Sequence, residues 1–291
     1  SWTREDKVYR ITPRQNDAVN SCWMPDSHRL NYKYINAETR IPQPVIRTDA
    51  EAPHRPSTWE PALASAAEAV KRIAPNQLAI IASGRMTNEE LYMVRHLAAQ
   101  IGTDMVDIVP RMGESDGMLI SADRNPNTNG ARLVLDIEPG SRLDAIREGV
   151  RSGSVKGILS LGEDLISPEA GFTAEDLDKL DYLFMTAHSA NETARHADLV
   201  LPGVTYAEKF GTMINVTGRI QRLNRAIQPI GYARDDWQIF RDITLLLGGN
   251  PALKDFNSAL DILTAMSTEY GALNGVSWGC LLYTSDAADE R

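Results

Sequence analysis

Leu78-Ala79-Ile80-Ile81-Ala82, followed by Thr87-Asn88-Glu89-Glu90 and the apolar positions Leu91, Val94, Ala98 and Ile101 up to Gly102, decides the reading of this chain. The first five residues are an unbroken apolar run, the pattern of a strand buried on both faces. Thr87 to Glu90 has the form of a capping box, in which a hydroxyl and a carboxylate satisfy orphan backbone donors at a helix start. The four apolar positions then recur at helical spacing, and glycine stops the helix because it accepts the left-handed conformation. A buried strand joined to a capped amphipathic helix is the building unit of an open sheet with helices on both faces.

The same alternation extends in both directions. Upstream, Ser57-Thr58-Trp59-Glu60 reads as another capping box, with Pro61 tolerated in the first turn and Leu63, Ala66, Ala67, Val70 and Ile73 on one face. Downstream, Gly157–Leu161, Tyr182–Thr186 and Ala197–Pro202 read as strands. Helices are expected from Ser141 to Val150, Thr173 to Leu180, Asp235 to Leu247 and Ser258 to Met266. Residues 110–131, with Asn125-Pro126-Asn127-Thr128-Asn129-Gly130, read as a long loop, a feature that in a compact domain is functional or replaces something larger. The expected fold is α/β, an open, mainly parallel sheet with helices on both faces, over residues 57–279. Residues 1–50 differ: Val8–Thr12 alternates like a strand before Pro13, and Pro42 and Pro44 interrupt any regular element further on, so a small β-rich, loop-rich subdomain is expected. Residues 48–57 read as a linker.

Composition narrows the function. Hydrophobic residues make up 43% of the 291 and charged residues 24%, ordinary for a globular chain with a real core. A net charge of −9 repels a phosphate backbone and argues against nucleic acid as a partner. No apolar run approaches the roughly 20 residues of a membrane span, so direct insertion is not expected. The start, Ser1-Trp2-Thr3, lacks an initiator Met, and the chain is expected to begin in mid-protein. Cys280 to Glu290 reads as the in-frame translation of a sequencing adapter, so 280–291 stands apart from the fold. Cys22 and Cys280 are two isolated thiols, too few for an iron–sulfur or Cys-rich zinc site. Cys22 is expected to be packed and inert.

Chemistry-bearing motifs are sparse. Ligands of open parallel sheets bind beyond the C-terminal strand ends, here Ser83-Gly84-Arg85, Gly162-Glu163-Asp164, His188–Glu192 and Pro202-Gly203. None forms a glycine-rich phosphate loop, and there is no G-x-S-x-G elbow. His28, His54, His96, His188 and His196 lack the spacing of a zinc hydrolase, and His188 and His196 are read as local hydrogen-bonding groups. The pairs Glu89-Glu90 and Asp235-Asp236 sit at expected helix starts, where acidic groups complement the dipole, and are read as structural.

Two stretches carry a family resemblance. Val19-Asn20-Ser21-Cys22-Trp23-Met24-Pro25-Asp26-Ser27-His28-Arg29-Leu30-Asn31-Tyr32 resembles the V-N-x-x-W-x-C-D-x-x-R-x-x-Y segment of the G-type subunit of respiratory NADH-quinone oxidoreductases (complex I) and of related formate dehydrogenases. The run from Ala197 to Gln221, containing Ala197-Asp198, Val200-Leu201-Pro202, Glu208, Gly211-Thr212, Asn215, Arg219 and Gln221, resembles A-D-x-V-L-P…E-x-x-G-T-x-x-N-x-x-x-R-x-Q of the molybdopterin oxidoreductase superfamily. Trp23, Asp26, Arg29, Asn215 and Arg219 match the family pattern, and their implied role is to fix turns and subdomain contacts through buried arginine–carboxylate pairs. Two departures matter. Pro25 stands where many relatives place the last cysteine of a four-iron cluster, so residues 1–50 resemble a subdomain of that type with its cluster lost. The 110–131 stretch holds Ser115 and Ser121 but no cysteine, and runs straight into the next unit where molybdenum relatives carry a large inserted domain.

The resemblance therefore implies a scaffold portion of the G-type subunit, without a catalytic centre, metal or molybdopterin of its own. The parent subunit would carry 2Fe-2S and 4Fe-4S clusters. The partners implied are other complex I peripheral-arm subunits, at the cytoplasmic face of the bacterial inner membrane, in a complex passing electrons from NADH to quinone. Two alternatives stand beside it: a catalytic fragment of a formate-dehydrogenase-like molybdopterin enzyme, and a free-standing α/β domain binding a small molecule.

Overall fold

A computed structural model describes residues 1–47, 52–279 and 281. Part of the stretch read as a linker, and the terminal segment apart from Leu281, lie outside the described residues. The chain opens with an antiparallel hairpin, β1 (Trp2–Arg4) and β2 (Lys7–Arg10), and a short helix, α1 (Asp26–Arg29). After β3 (Val45–Ile46) and β4 (Arg55–Pro56) come α2 (Trp59–Arg72), β5 (Leu78–Ala82), α3 (Asn88–Ile101), β6 (Val106–Ile108), α4 (Thr128–Leu135), α5 (Leu143–Ser152) and β7 (Gly157–Leu161). The remainder is α6 (Ala174–Leu177), β8 (Tyr182–Ala187), α7 (Glu192–His196), β9 (Leu199–Pro202), the hairpin β10 (Gly211–Ile214) and β11 (Ile220–Leu223), α8 (Asp236–Leu246) and α9 (Ala259–Glu269).

The main sheet has the order β4-β3-β9-β8-β7-β5-β6. Strands β5 to β9 are parallel, while β3 runs antiparallel to both β9 and β4 at one edge. This is the expected open, mainly parallel sheet. Its central strands are mainly apolar because alternate side chains enter two different cores. Leu78, Ile80, Leu159, Leu161, Phe184 and Leu201 pack with α2, α3, α4, α8 and α9. Ala79, Ile81, Ile158, Leu183, Met185 and Val200 point the other way, onto α5, α6 and α7. Each fully buried leucine or isoleucine contributes roughly 1.5–3 kcal/mol.

The chain leaves β5 for β6 on one side, then returns to lay β7 against the other side of β5. The connections therefore diverge between the C-terminal ends of β5 and β7, and a crevice opens at such a reversal.

Several local expectations change. Thr87 and Glu90 form the capping box of α3, and Gly102 ends it at φ 79°. Ser57 caps nothing: Thr58 is the N-cap of α2 without a side-chain bond, and the Ser57 hydroxyl donates to the Thr58 carbonyl. Spacing alone does not fix the helix start, which falls one residue later and leaves Ser57 outside the cap position. The stretch read as a linker contains β4, because the apolar pair Val45-Ile46 recruits it to the sheet edge. The long loop ends earlier than read, since α4 begins at Thr128; the side chains of Asn88 and Asn127 hold that helix start in place. Residues 1–36 pack on the body through Val8 and Ile35 against Ala207 and Ile227.

Candidate functional site

At the C-terminal edge of the sheet, β5 runs into Ser83-Gly84-Arg85 and β7 into Gly162-Glu163. Gly162 takes φ 72°, and the Ser160 hydroxyl donates to the Glu163 carbonyl at 2.8 Å, which folds the turn back and points Glu163 inward. Glu163 is buried and receives both arms of the Arg111 guanidinium, at 2.9 and 2.5 Å. Arg111 follows β6, so this bidentate pair bridges the crevice from both sides of β5. Asn125 lies over the same place: its amide donates to the Val109 carbonyl at 2.9 Å, and a methyl group added at Gly84 would meet its side chain at 2.5 Å. The crevice is thus filled by the protein's own polar side chains. Beside it, Arg85 reaches solvent, but partial burial and the nearby Arg111 charge pull its pKa below the usual arginine value.

A second polar cluster lies beyond the C-terminal ends of β8 and β9. The Lys209 ammonium is 2.7 and 2.9 Å from the two Glu90 oxygens, both residues buried. Glu208 accepts from Arg40 at 2.6 Å, and Arg40 also donates to the carbonyls of Ile35 and His188. Arg225 reaches the Asp235 carboxylate at 3.0 Å. Glu89 accepts from the Thr212 amide and hydroxyl, both at 2.8 Å. Burial raises the carboxyls of Glu89 and Asp236 to about 7 and of Asp235 to about 6. His188 stacks on Tyr34 at 5.3 Å, and burial, with the charges of Arg40, Lys209 and Arg85 nearby, depresses it to about 4. It is therefore a neutral imidazole at neutral pH.

Glu89-Glu90 and Asp235-Asp236 do sit at helix starts, yet all four are buried, and Lys209 and Arg225 answer two of them. Buried arginine–carboxylate pairs are expected from the sequence at other residues; the pairings Arg111–Glu163, Lys209–Glu90 and Arg40–Glu208 are not among the sequence-based expectations. One signal existed: Glu208-Lys209 is a charged pair between aromatic residues, in a stretch bounded by strands.

Residues matching the family pattern fall elsewhere. Asp26 and Arg29 pair with each other at 2.9 Å across one exposed helical turn, so they form no buried bridge. Trp23 is exposed, and so is Cys22, contrary to a packed thiol; the 16–24 stretch is a series of hydrogen-bonded turns at the surface. The Asn215 carboxamide accepts from the amides of Thr217 and Arg219 and so closes the β10–β11 turn, while the Arg219 side chain is exposed. Ser115 lies in an exposed excursion and bonds only within it. His196 pairs with Asp178 at 2.8 Å. Among the described residues no group of three or more His, Cys, Asp or Glu could hold a metal ion, and no helix is long and apolar enough to cross a membrane.

Residues 124–244 match the family model described as molybdopterin oxidoreductase, a family of oxidoreductases. Over 144 residues, 49% of this chain, it is 32% identical to a formate-dehydrogenase-like protein of Staphylococcus haemolyticus, covering 15% of that protein. Over 136 residues, 46% of the chain, it is 34% identical to the NADPH-Fe(3+) oxidoreductase subunit alpha of Geobacter sulfurreducens, covering 16% of it. The chain thus spans about a sixth of the length of these relatives. In fold it is similar to acetylene hydratase from Pelobacter acetylenicus, with a TM-score of 0.55 over 83% of this chain and 65% of that one, at 9% identity.

Proposed function

We propose that this chain is a non-redox scaffold portion of the G-type subunit of a respiratory NADH-quinone oxidoreductase, within the molybdopterin oxidoreductase superfamily. The observation that carries the reading is the self-filled crevice at the β5–β7 switch point. A pterin seated there would have to displace Arg111 from Glu163 and push Asn125 off Gly84. Stripping a buried carboxylate of its partner costs about 3–5 kcal/mol. The residues present therefore do not fit a pterin, and no step of the chemistry is routed through one. Pro25 supports the same reading, since it offers no ligand where relatives place a cluster cysteine.

In this role the chain's residues hold a rigid surface. Arg111–Glu163 spans the crevice as a buried ion pair, and Arg40–Glu208 helps hold the amino-terminal segment to the body. Electrons pass from NADH to quinone through 2Fe-2S and 4Fe-4S clusters elsewhere in the parent subunit, among peripheral-arm partners on the cytoplasmic face of the inner membrane. The names of the curated relatives favour a second reading, a fragment of a formate-dehydrogenase-like catalytic subunit.

One experiment separates the two. The intact subunit is purified from its host with its partners, and its metals and activities are measured. The scaffold reading expects iron, NADH-quinone reductase activity and no molybdenum or tungsten. Near-stoichiometric molybdenum or tungsten, with formate oxidation, would overturn it.

A further inference from the structure

We infer that Tyr92 is a one-electron oxidation site, which traps diffusible radical oxidants by giving up an electron while its phenolic proton passes to Glu269. The site lies where α3 meets the end of α9.

A placed proton acceptor is the first reason. A phenol that loses an electron becomes a strong acid, so the electron leaves readily only where a base stands ready for the proton. The Tyr92 hydroxyl donates to Glu269 Oε2 at 2.7 Å, the short length of a charge-assisted bond. Arg95 holds the other carboxylate oxygen at 3.1 Å and so fixes the acceptor in place. Burial, with the bond to Glu269 and its charge, raises the Tyr92 pKa. At neutral pH the proton is therefore still on the phenol and must leave with the electron. Among the described residues no other tyrosine hydroxyl bonds a carboxylate. Tyr182 is buried with no partner, and Tyr270 donates to the Val134 carbonyl at 3.2 Å, a far weaker base. The Arg95 guanidinium also stands 5.4 Å from the Tyr270 ring centre and disfavours a positive hole there.

Placement is the second reason. Tyr92 is 5% exposed, which shields its radical from meeting another, whereas the Glu269 side chain is 41% exposed and can pass the proton on to water. Tyr270 at 6.2 Å and His96 at 4.6 Å pack edge-on around the ring. The buried His96 Nε2 bonds nothing among the described residues, so the phenol proton has Glu269 as its acceptor. The step balances. The oxidant gains one electron, the Tyr92 O–H bond breaks, an O–H bond forms on Glu269, and a neutral phenoxyl radical remains. Glu269 then releases the proton to solvent.

The test exposes the full chain, free of oxygen at neutral pH, to azide radicals made by pulse radiolysis, which are reduced to azide. Tyrosyl radical is followed by absorption and by paramagnetic resonance of freeze-quenched samples. A long-lived tyrosyl component is expected, and Tyr92→Phe should remove it. Glu269→Gln leaves a neutral acceptor in place of a charged one and should slow its appearance about tenfold, a change that a merely structural contact would not produce. Tyr270→Phe should leave its yield unchanged. The proposal is overturned if the parent chain shows no long-lived component, if Tyr92→Phe retains it, if Tyr270→Phe abolishes it, or if Glu269→Gln forms it as fast as the parent. None of these outcomes bears on the scaffold reading, which rests on the switch-point crevice.

Discussion

Lys209 and Glu90 show most directly what a buried charge requires. They are 6% and 1% exposed and satisfy each other through two bonds. Lys209→Met should destabilise the chain by about 3–5 kcal/mol in urea denaturation, because Glu90 is left buried without its cation. The double variant Lys209→Met/Glu90→Leu should regain much of the loss, as apolar groups need no counter-charge; a double variant no more stable than the single one would contradict this. Glu89 gives a pH signature. Burial lifts its carboxyl from 4.5 to about 7, so between those values the folded state holds a proton that the unfolded chain has released. Its stabilising contribution is full below about pH 4.5 and is lost as pH rises through about 7, about 3 kcal/mol in all. Asp236 and Asp235 add the same sign up to about 7 and about 6. Urea midpoints measured from pH 5 to pH 8 should fall for the parent chain and fall less for Glu89→Gln.

At the scale of elements, the starts of α3 and α4 and the strand β10 are locked by a polar network. Asn127 donates to Asn88 at 3.0 Å and accepts from the Ile214 amide at 2.7 Å, and Asn88 donates to Thr212 at 3.0 Å. Gly130 makes this possible, because a methyl group there would fall onto the carboxamide oxygens of Asn88 and Asn127. Gly130→Ala should cost roughly 1–3 kcal/mol through overpacking, although alanine is the better helix former. A thermal midpoint equal to or above that of the parent chain would show that the network yields. Caps offer a paired comparison. Thr87→Ala should lose about 1 kcal/mol, whereas Ser57→Ala should be close to neutral, since Thr87 caps α3 and Ser57 caps nothing. The two read alike in sequence, and the difference lies in where the helix begins: α2 takes Thr58 as its N-cap and leaves Ser57 one residue outside.

Across the whole molecule, β3 is itself a strand of the sheet, and residues 1–36 ahead of it dock on the body through a small apolar cluster and the bonds around Arg40. Arg40 ties Glu208 to the backbone of both Ile35 and His188. Arg40→Met should leave Glu208 uncompensated and loosen the amino-terminal segment before the sheet. Hydrogen exchange should then quicken over residues 1–36 while β5, β7 and β8 keep their protection. Uniform acceleration across the chain would mean that the pair supports the global fold instead.

Sequence by itself determined the strands β5, β7, β8 and β9, the helices α3, α5 and α6 and the parallel sheet they make, but not α4 or α7. Leu78–Ala82 and its counterparts are too apolar to lie anywhere but between two helical layers, and that demand is local and periodic. The Asn215 turn lay within a stretch the sequence singled out, though its hydrogen bonds did not. Tertiary structure alone decided the order of the strands, the pairing of β3 with β9, and the partners of each buried charge. Arg111 and Glu163 are 52 residues apart, Lys209 and Glu90 119, and Arg40 and Glu208 168. No spacing rule spans such distances. Whether a carboxylate lies on a wet helix start or in a dry core depends on which distant chain covers it, and that is settled only when the layers close.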